Sequence, residues 1–172
     1  MMQTKAGFFM KIFKKYGFTL LEMMIVVAIM GILSAIATPN LMDYMAERRL
    51  NGAARMVMSD LMAARQKAVT QNNEFKVFFS ANQYQYTILD DDDNDGTADT
   101  GEATEVRNIR NDYFDVTLSD PDHSASPPTN PIFYPRGTAL GTTVKLTSSR
   151  TGTSKYVKVA PTGRVKIDNT LL

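Results

Sequence analysis

From Phe18 to Thr38 the chain reads FTLLEMMIVVAIMGILSAIAT, 21 residues with one charged side chain, Glu22. As an α-helix rising about 1.5 Å per residue, the run is about 31 Å long, matching a bilayer hydrocarbon core of about 30 Å. A core helix of a soluble protein is rarely apolar on every side for so many turns, so the run reads as a membrane span. Lys5, Lys11, Lys14 and Lys15 precede it. Positive flanks stay on the cytoplasmic side, which puts the N-terminus in the cytoplasm and everything after Pro39 across the membrane.

The whole chain has 172 residues, enough for one domain with a real core beside the span. It has no Cys and a single His, His123. Disulfides, thiolate metal sites, cysteine nucleophiles and imidazole clusters are therefore excluded. His123 lies in DPDHSASPPTNP, a loop by composition, beside Asp120, Asp122, Ser124 and Ser126. A flexible loop does not hold a nucleophile, base and orienter within catalytic tolerance, and no glycine-rich phosphate cradle occurs elsewhere. The sequence reads as a structural or binding protein and not as an enzyme.

The formal net charge of +1 is a cancellation. Residues 1–17 carry +4, 18–39 carry −1, 40–73 carry +2, 74–122 carry −10 and 123–172 carry +6. All 11 Met fall at or before Met62, while six of the seven Pro lie after residue 120. Four segments follow: a leader over 1–17, the span over 18–39, an amphipathic helix half over 40–73, and a β-rich head over 74–172.

The junction between leader and span is specific. A secretory signal places its small-residue cleavage site after the apolar region. Here the basic segment ends in Gly17 and the apolar run begins at once with Phe18-Thr19-Leu20-Leu21-Glu22. Cleavage between Gly17 and Phe18 would remove the leader and leave the whole helix on the mature chain. This arrangement resembles the class III signal of type IV pilins and type II secretion pseudopilins. Met10 is an alternative start, with the shorter leader MKIFKKYG.

The resemblance implies processing by a prepilin peptidase, N-methylation of Phe18, and a single-pass protein of the inner membrane with a periplasmic head. It also gives Glu22 a role. A carboxylate about one turn inside a lipid-facing helix is expensive unless paired, neutralised or snorkelling to the interface. In the family, the matching glutamate pairs with the free N-terminal amine of a neighbouring subunit, which here would be that of Phe18. Mutual neutralisation in lipid then brings pilin helices together in register.

Pro39 lacks a backbone donor and would disrupt or kink the helix at the membrane exit. Beyond it Leu50, Ala54, Val57, Leu61, Ala64 and Ala68 recur at helical spacing. That stripe is suited to docking on a sheet, with a short coiled coil as the rival. Arg48, Arg49, Arg55, Arg65 and Lys67 fall mostly on solvated faces. Gly52 is a weak point, and the helix is expected to stop between Gln71 and Asn73.

After residue 74 strand signals take over: 75–79, 83–89, 105–109, 114–118, 143–147, 155–159 and 164–167. Short connections point to antiparallel hairpins, so the fold class is α+β, one long helix on a head of one or two small antiparallel sheets. Phe133, Pro135 and Gly137, the Val144-Lys145-Leu146 strand, Tyr156-Val157-Lys158-Val159 and Gly163-Arg164-Val165-Lys166 resemble the head of the pseudopilin H group. That group includes type II secretion protein H and the FimT- and FimU-like minor pilins. The resemblance implies a minor, tip-proximal subunit that assembles with other pilins through its N-terminal helix.

Two charged motifs remain. Asp91-Asp92-Asp93-Asn94-Asp95-Gly96-Thr97-Ala98-Asp99-Thr100-Gly101-Glu102 fits a D-x-D-x-D-G-x5-E calcium loop. Asp91, Asp93, Asp95, the Thr97 carbonyl, Asp99 and bidentate Glu102 would supply the oxygen ligands, against the bland alternative of a solvated acidic hairpin loop. Flanking strands instead of helices point to weak affinity for Ca²⁺, about 10⁻⁵–10⁻³ M. In the basic tail, Arg164 and Lys166 resemble the Gly-Arg-x-Arg motif of DNA-binding minor pilins, with Lys in place of the second Arg. Alternating basic residues on a strand are more often its solvated face. A tip-located DNA-binding or surface-adhesion subunit is thus the alternative function.

Overall fold

The computed structural model describes residues 17–93, 102–120 and 129–171. Helix α1 runs from Leu20 to Gln71. Among the described residues eight strands follow: β1 Glu74–Phe79, β2 Gln85–Asp91, β3 Thr104–Asn108, β4 Val116–Ser119, β5 Ile132–Phe133, β6 Thr142–Ser148, β7 Ser154–Val159 and β8 Val165–Asp168. The chain divides into two compact units between Pro39 and Asn40.

The first unit is the apolar half of α1. Its side chains are exposed to the surroundings from Phe18 onward, and it is long and apolar enough to cross a membrane. Thr19 caps the helix. Its carbonyl accepts from the Met23 N–H at 3.2 Å and its Oγ1 accepts from the Glu22 N–H at 3.2 Å. Thr19-Leu20-Leu21-Glu22 has the spacing of a capping box, and the acidic side chain in the first turn complements the positive end of the helix dipole. Pro39 does not break the helix: helical backbone continues through it to Gln71. The proline removes one donor and leaves the Ala35 carbonyl without its usual partner, while the Thr38 hydroxyl donates to the Ser34 carbonyl at 2.6 Å. One missing bond does not end a helix of 52 residues.

In the second unit the polar half of α1 lies on the sheets. The buried stripe is Ala46, Leu50, Ala53, Ala54, Val57, Leu61, Ala64 and Ala68, the expected six positions joined by Ala46 and Ala53. Five of these eight are alanine, so the buried stripe is built mostly of small side chains. Docking on sheet, not a coiled coil, is the outcome. Asn72 terminates α1 in left-handed conformation at φ 58°, with the Asn73 N–H on the Ala68 carbonyl at 3.2 Å.

The head holds two four-stranded antiparallel sheets, ordered β3-β2-β1-β5 and β4-β6-β7-β8. Along β6 buried and half-buried residues alternate strictly, as a strand with one face on a core requires. Phe75, Val77, Phe79, Tyr86 and Ile88 from one sheet meet Leu118, Val144, Leu146 and Val157 from the other around Leu50, Val57 and Leu61 of the helix. The expected strands appear within two residues of their expected ends. β5 is the addition: two residues pair with β1 at Phe75↔Phe133 and Lys76↔Ile132, too few for any periodicity to register.

Three residues differ from expectation for one reason, a partner distant in sequence. Gly52 is not a weakness, because the Tyr113 ring fills the space of the missing side chain; a Cβ there would sit 2.7 Å from a ring carbon. Arg49 is not on a solvated face but forms a two-pronged pair with Asp115, both bonds 2.8 Å. Arg65 turns inward, its Nε donating to the Gly137 carbonyl at 2.9 Å.

Candidate functional site

The N-terminal site is linear. Gly17, Phe18 and Thr19 are non-helical, and the helix begins with the very next residue. The Gly17–Phe18 bond therefore lies in non-helical backbone, and a Cβ on Gly17 would meet nothing within 4 Å. Phe18 and Glu22 are both exposed. Glu22 sits at the third helical position, one turn from the Phe18 backbone nitrogen that cleavage would convert to an amine. The Thr19 cap is a signal that sequence reasoning passed over, although the T-x-x-E spacing carries it.

The acidic site grows out of the end of β2. Asp91 is wholly buried and paired with Lys76, itself nearly buried on the neighbouring β1. Carboxylate oxygens of Asp91, Asp93 and Glu102 lie within 4.8 Å of one another. That span is about twice a Ca²⁺–oxygen distance of about 2.4 Å, so the three donors can share one ion. They are the first, third and twelfth positions of the motif. Glu102 accepts the Asp92 N–H at 2.9 Å. The Asn73 amide, just past the helix end, donates to both Asp90 and Asp92 at 2.7 Å. Asp95, Gly96, Thr97 and Asp99 lie outside the described residues, as does His123. Neither Lys76 nor Asn73 was anticipated, since nothing local marks them as partners of a loop some 20 positions away. Lys76 places a positive charge beside Asp91, which opposes tight cation binding there.

The basic tail is partly neutralised. Asp168 accepts from Lys166 at 2.7 Å and from Lys158 at 3.1 Å. These bonds, Lys166 first, hold its carboxyl below the usual carboxylate range. Lys155 donates to Asn169 at 2.6 Å and Arg150 to Asp43 at 3.0 Å. Arg164 is exposed on the turn before β8. Gly163, the partner of Arg164 in the motif, has a packing role. It is buried at φ +77°, and a Cβ would fall 2.0 Å from the Gly137 carbonyl that Arg65 binds.

A capped apolar helix, with an amphipathic half that docks on two small antiparallel sheets, is the architecture of a pilin-like fold. Residues 53–163 match the family model described as type II transport protein GspH, and residues 12–38 match the prokaryotic N-terminal methylation motif. With that match over most of its length, the chain belongs to the type II transport protein GspH family. A fimbrial protein of Pseudomonas aeruginosa is 43% identical over 72 residues, 42% of this chain and 46% of its own length. Fimbrial protein EcpB of Eikenella corrodens is 36% identical over 85 residues, 41% of this chain and 54% of its own. The chain spans about half the length of the curated relatives it matches.

Among solved structures, the type IV minor pilin FimU of P. aeruginosa superposes with a TM-score of 0.54 at 16% identity, covering 71% of this chain and 90% of that one. The minor pseudopilin EpsH from the type 2 secretion system of Vibrio cholerae gives 0.53 at 12%, covering 69% and 95%. At these identities the likeness is one of fold.

Proposed function

We propose that this chain is a minor pilin or pseudopilin placed at or near the tip of a type II secretion pseudopilus or type IV pilus. In this reading it enters the inner membrane with its N-terminus cytoplasmic and its head periplasmic. Prepilin peptidase then cleaves between Gly17 and Phe18, and the new amine is N-methylated. The observation that carries the reading is the juxtaposition at the N-terminus: a non-helical Gly17–Phe18 bond, a Thr19 cap, and Glu22 one turn inside an exposed apolar helix. All of it is joined to a head of the GspH family. Glu22 of the incoming subunit and the Phe18 amine of a neighbour neutralise each other, which removes two charges from lipid and sets the helices in register.

Mass spectrometry of the chain from the native host tests the processing directly. The expected mature N-terminus is Phe18 carrying one methyl group, with the unprocessed chain accumulating when the peptidase gene is deleted. A mature chain starting elsewhere would overturn it.

Within the head, Ca²⁺ would be held by Asp91, Asp93, Asp95, the Thr97 carbonyl, Asp99 and Glu102. Its chemistry would be structural, offsetting the self-repulsion of a segment that carries −10 over residues 74–122. Convergence of Asp91, Asp93 and Glu102 supports this, and the Lys76 ion pair sets the affinity low. Melting of the full chain in detergent is expected to rise with millimolar Ca²⁺ and fall back with chelator, and Glu102→Gln is expected to abolish the difference. A melting temperature indifferent to both additions would end the calcium reading.

A further inference from the structure

Within the second unit, Met42 and Met45 of α1, Phe114 and Arg150 wall a groove of about 400 Å³. Its apolar side chains are unusually open for a folded head: Phe114 is 64% exposed, Met45 50% and Met42 48%. Phe114 is nevertheless held firmly. The Arg49 guanidinium stacks 4.7 Å from its ring centroid, and the same Arg49 grips the adjacent Asp115 twice. The ring is thus presented outward by a fixed scaffold.

Met42 and Met45 follow Thr38, the last residue of the apolar run, by four and seven residues, about one and two helical turns. At about 1.5 Å per residue their backbone positions lie about 6 and 10 Å past the run, and helical side chains lean back toward the N-terminus, so both thioethers reach the polar zone that extends about 5–8 Å beyond the hydrocarbon. Aromatic and flexible apolar side chains with guanidinium groups at their rim suit that zone. From these placements we infer that the groove is a membrane-seating surface, with Phe114, Met42 and Met45 inserted among lipid headgroups while the subunit awaits assembly. This rests on the membrane-anchored reading above. The partner surface is lipid, because a chain anchored by the preceding run always holds these residues near a bilayer, with or without a second subunit. Arg49 is paired with Asp115 and Arg150 with Asp43, so the surface carries balanced charge. Seating is therefore expected in zwitterionic as well as anionic membranes.

The chain contains no Trp, so a single introduced Trp reports its own surroundings. Full-length Phe114→Trp, Met45→Trp and Val106→Trp chains would be reconstituted into phosphatidylcholine vesicles, with and without phosphatidylglycerol and with lipid brominated near the headgroup. Val106 is 62% exposed on β3 and lies outside the groove, so it serves as control. Bromine is expected to quench the Trp at 114 and at 45 about twofold, as for side chains seated about 5–10 Å into the interface. The Trp at 106 should be unaffected, and the result should be the same in both lipid mixtures. Cosedimentation with vesicles is scored separately. Failure to cosediment overturns the anchor itself, whereas cosedimentation without quenching at 114 and 45 overturns this inference alone. Shielding of the Trp at 114 that requires high protein density, without bromine quenching, would make the occupant another subunit and likewise overturn it.

Discussion

Arg49 and Asp115 lie 66 positions apart and meet through two bonds of 2.8 Å, with the Asp115 side chain only 6% exposed and that of Arg49 21%. The Arg49 hydrogen bonds are the main reason the Asp115 carboxyl titrates below its ordinary range, outweighing the opposing effect of burial. The sign follows from the depressed value. The pair stabilises the fold above about pH 4, the unfolded carboxylate range, and that contribution is lost as acid brings the pH down through the folded value. Asp115→Asn is expected to destabilise the head by about 2 kcal/mol at neutral pH, since it leaves Arg49 with half its partner. Thermal melts at stepped pH should show the gap to wild type narrowing below about pH 4. A gap constant across that range would contradict the assignment. None of this was legible beforehand: Arg49 sits next to Arg48 on a helix, and its neighbours in sequence give no sign of an inward-facing partner.

At the scale of elements, what repeats along the chain was readable and what closes over distance was not. The stripe from Leu50 to Ala68 and the alternation of Thr142–Ser148 are periodic, so their buried faces followed from spacing. β5 has two residues and no period. The Gly163-Arg164 motif drew attention to its charge, yet its glycine is what the fold needs. Gly163 faces the Gly137 carbonyl, which is also the acceptor for Arg65 of α1. Gly163→Ala would combine a left-handed backbone with a clash against main chain and is expected to cost about 3 kcal/mol or more, enough to lower yield and melting temperature together. Gly52→Ala should be milder, about 1–3 kcal/mol, because the Tyr113 ring can shift. Equal effects from the two substitutions would argue against the Arg65–Gly137–Gly163 junction as a packing node.

For the whole molecule, the near-neutral total conceals separate jobs. Removal of residues 1–17 would take away +4 and leave side-chain charges of −3: −1 on the apolar half of α1, +2 over residues 40–73, −10 over 74–122 and +6 over the tail. The apolar half of α1 carries one charged side chain, Glu22, and the proposed assembly turns on it. In a host that assembles these filaments, Glu22→Ala is expected to leave insertion and cleavage intact while the sheared filament fraction loses the subunit at least about tenfold, the effect of about 1.4 kcal/mol per decade in a lost helix–helix ion pair. Quantitative immunoblotting of membrane and filament fractions, wild type against Glu22→Ala, measures both quantities in one experiment. Retention in the membrane with depletion from filaments is the expected pattern; a variant that enters filaments as well as wild type would contradict the account.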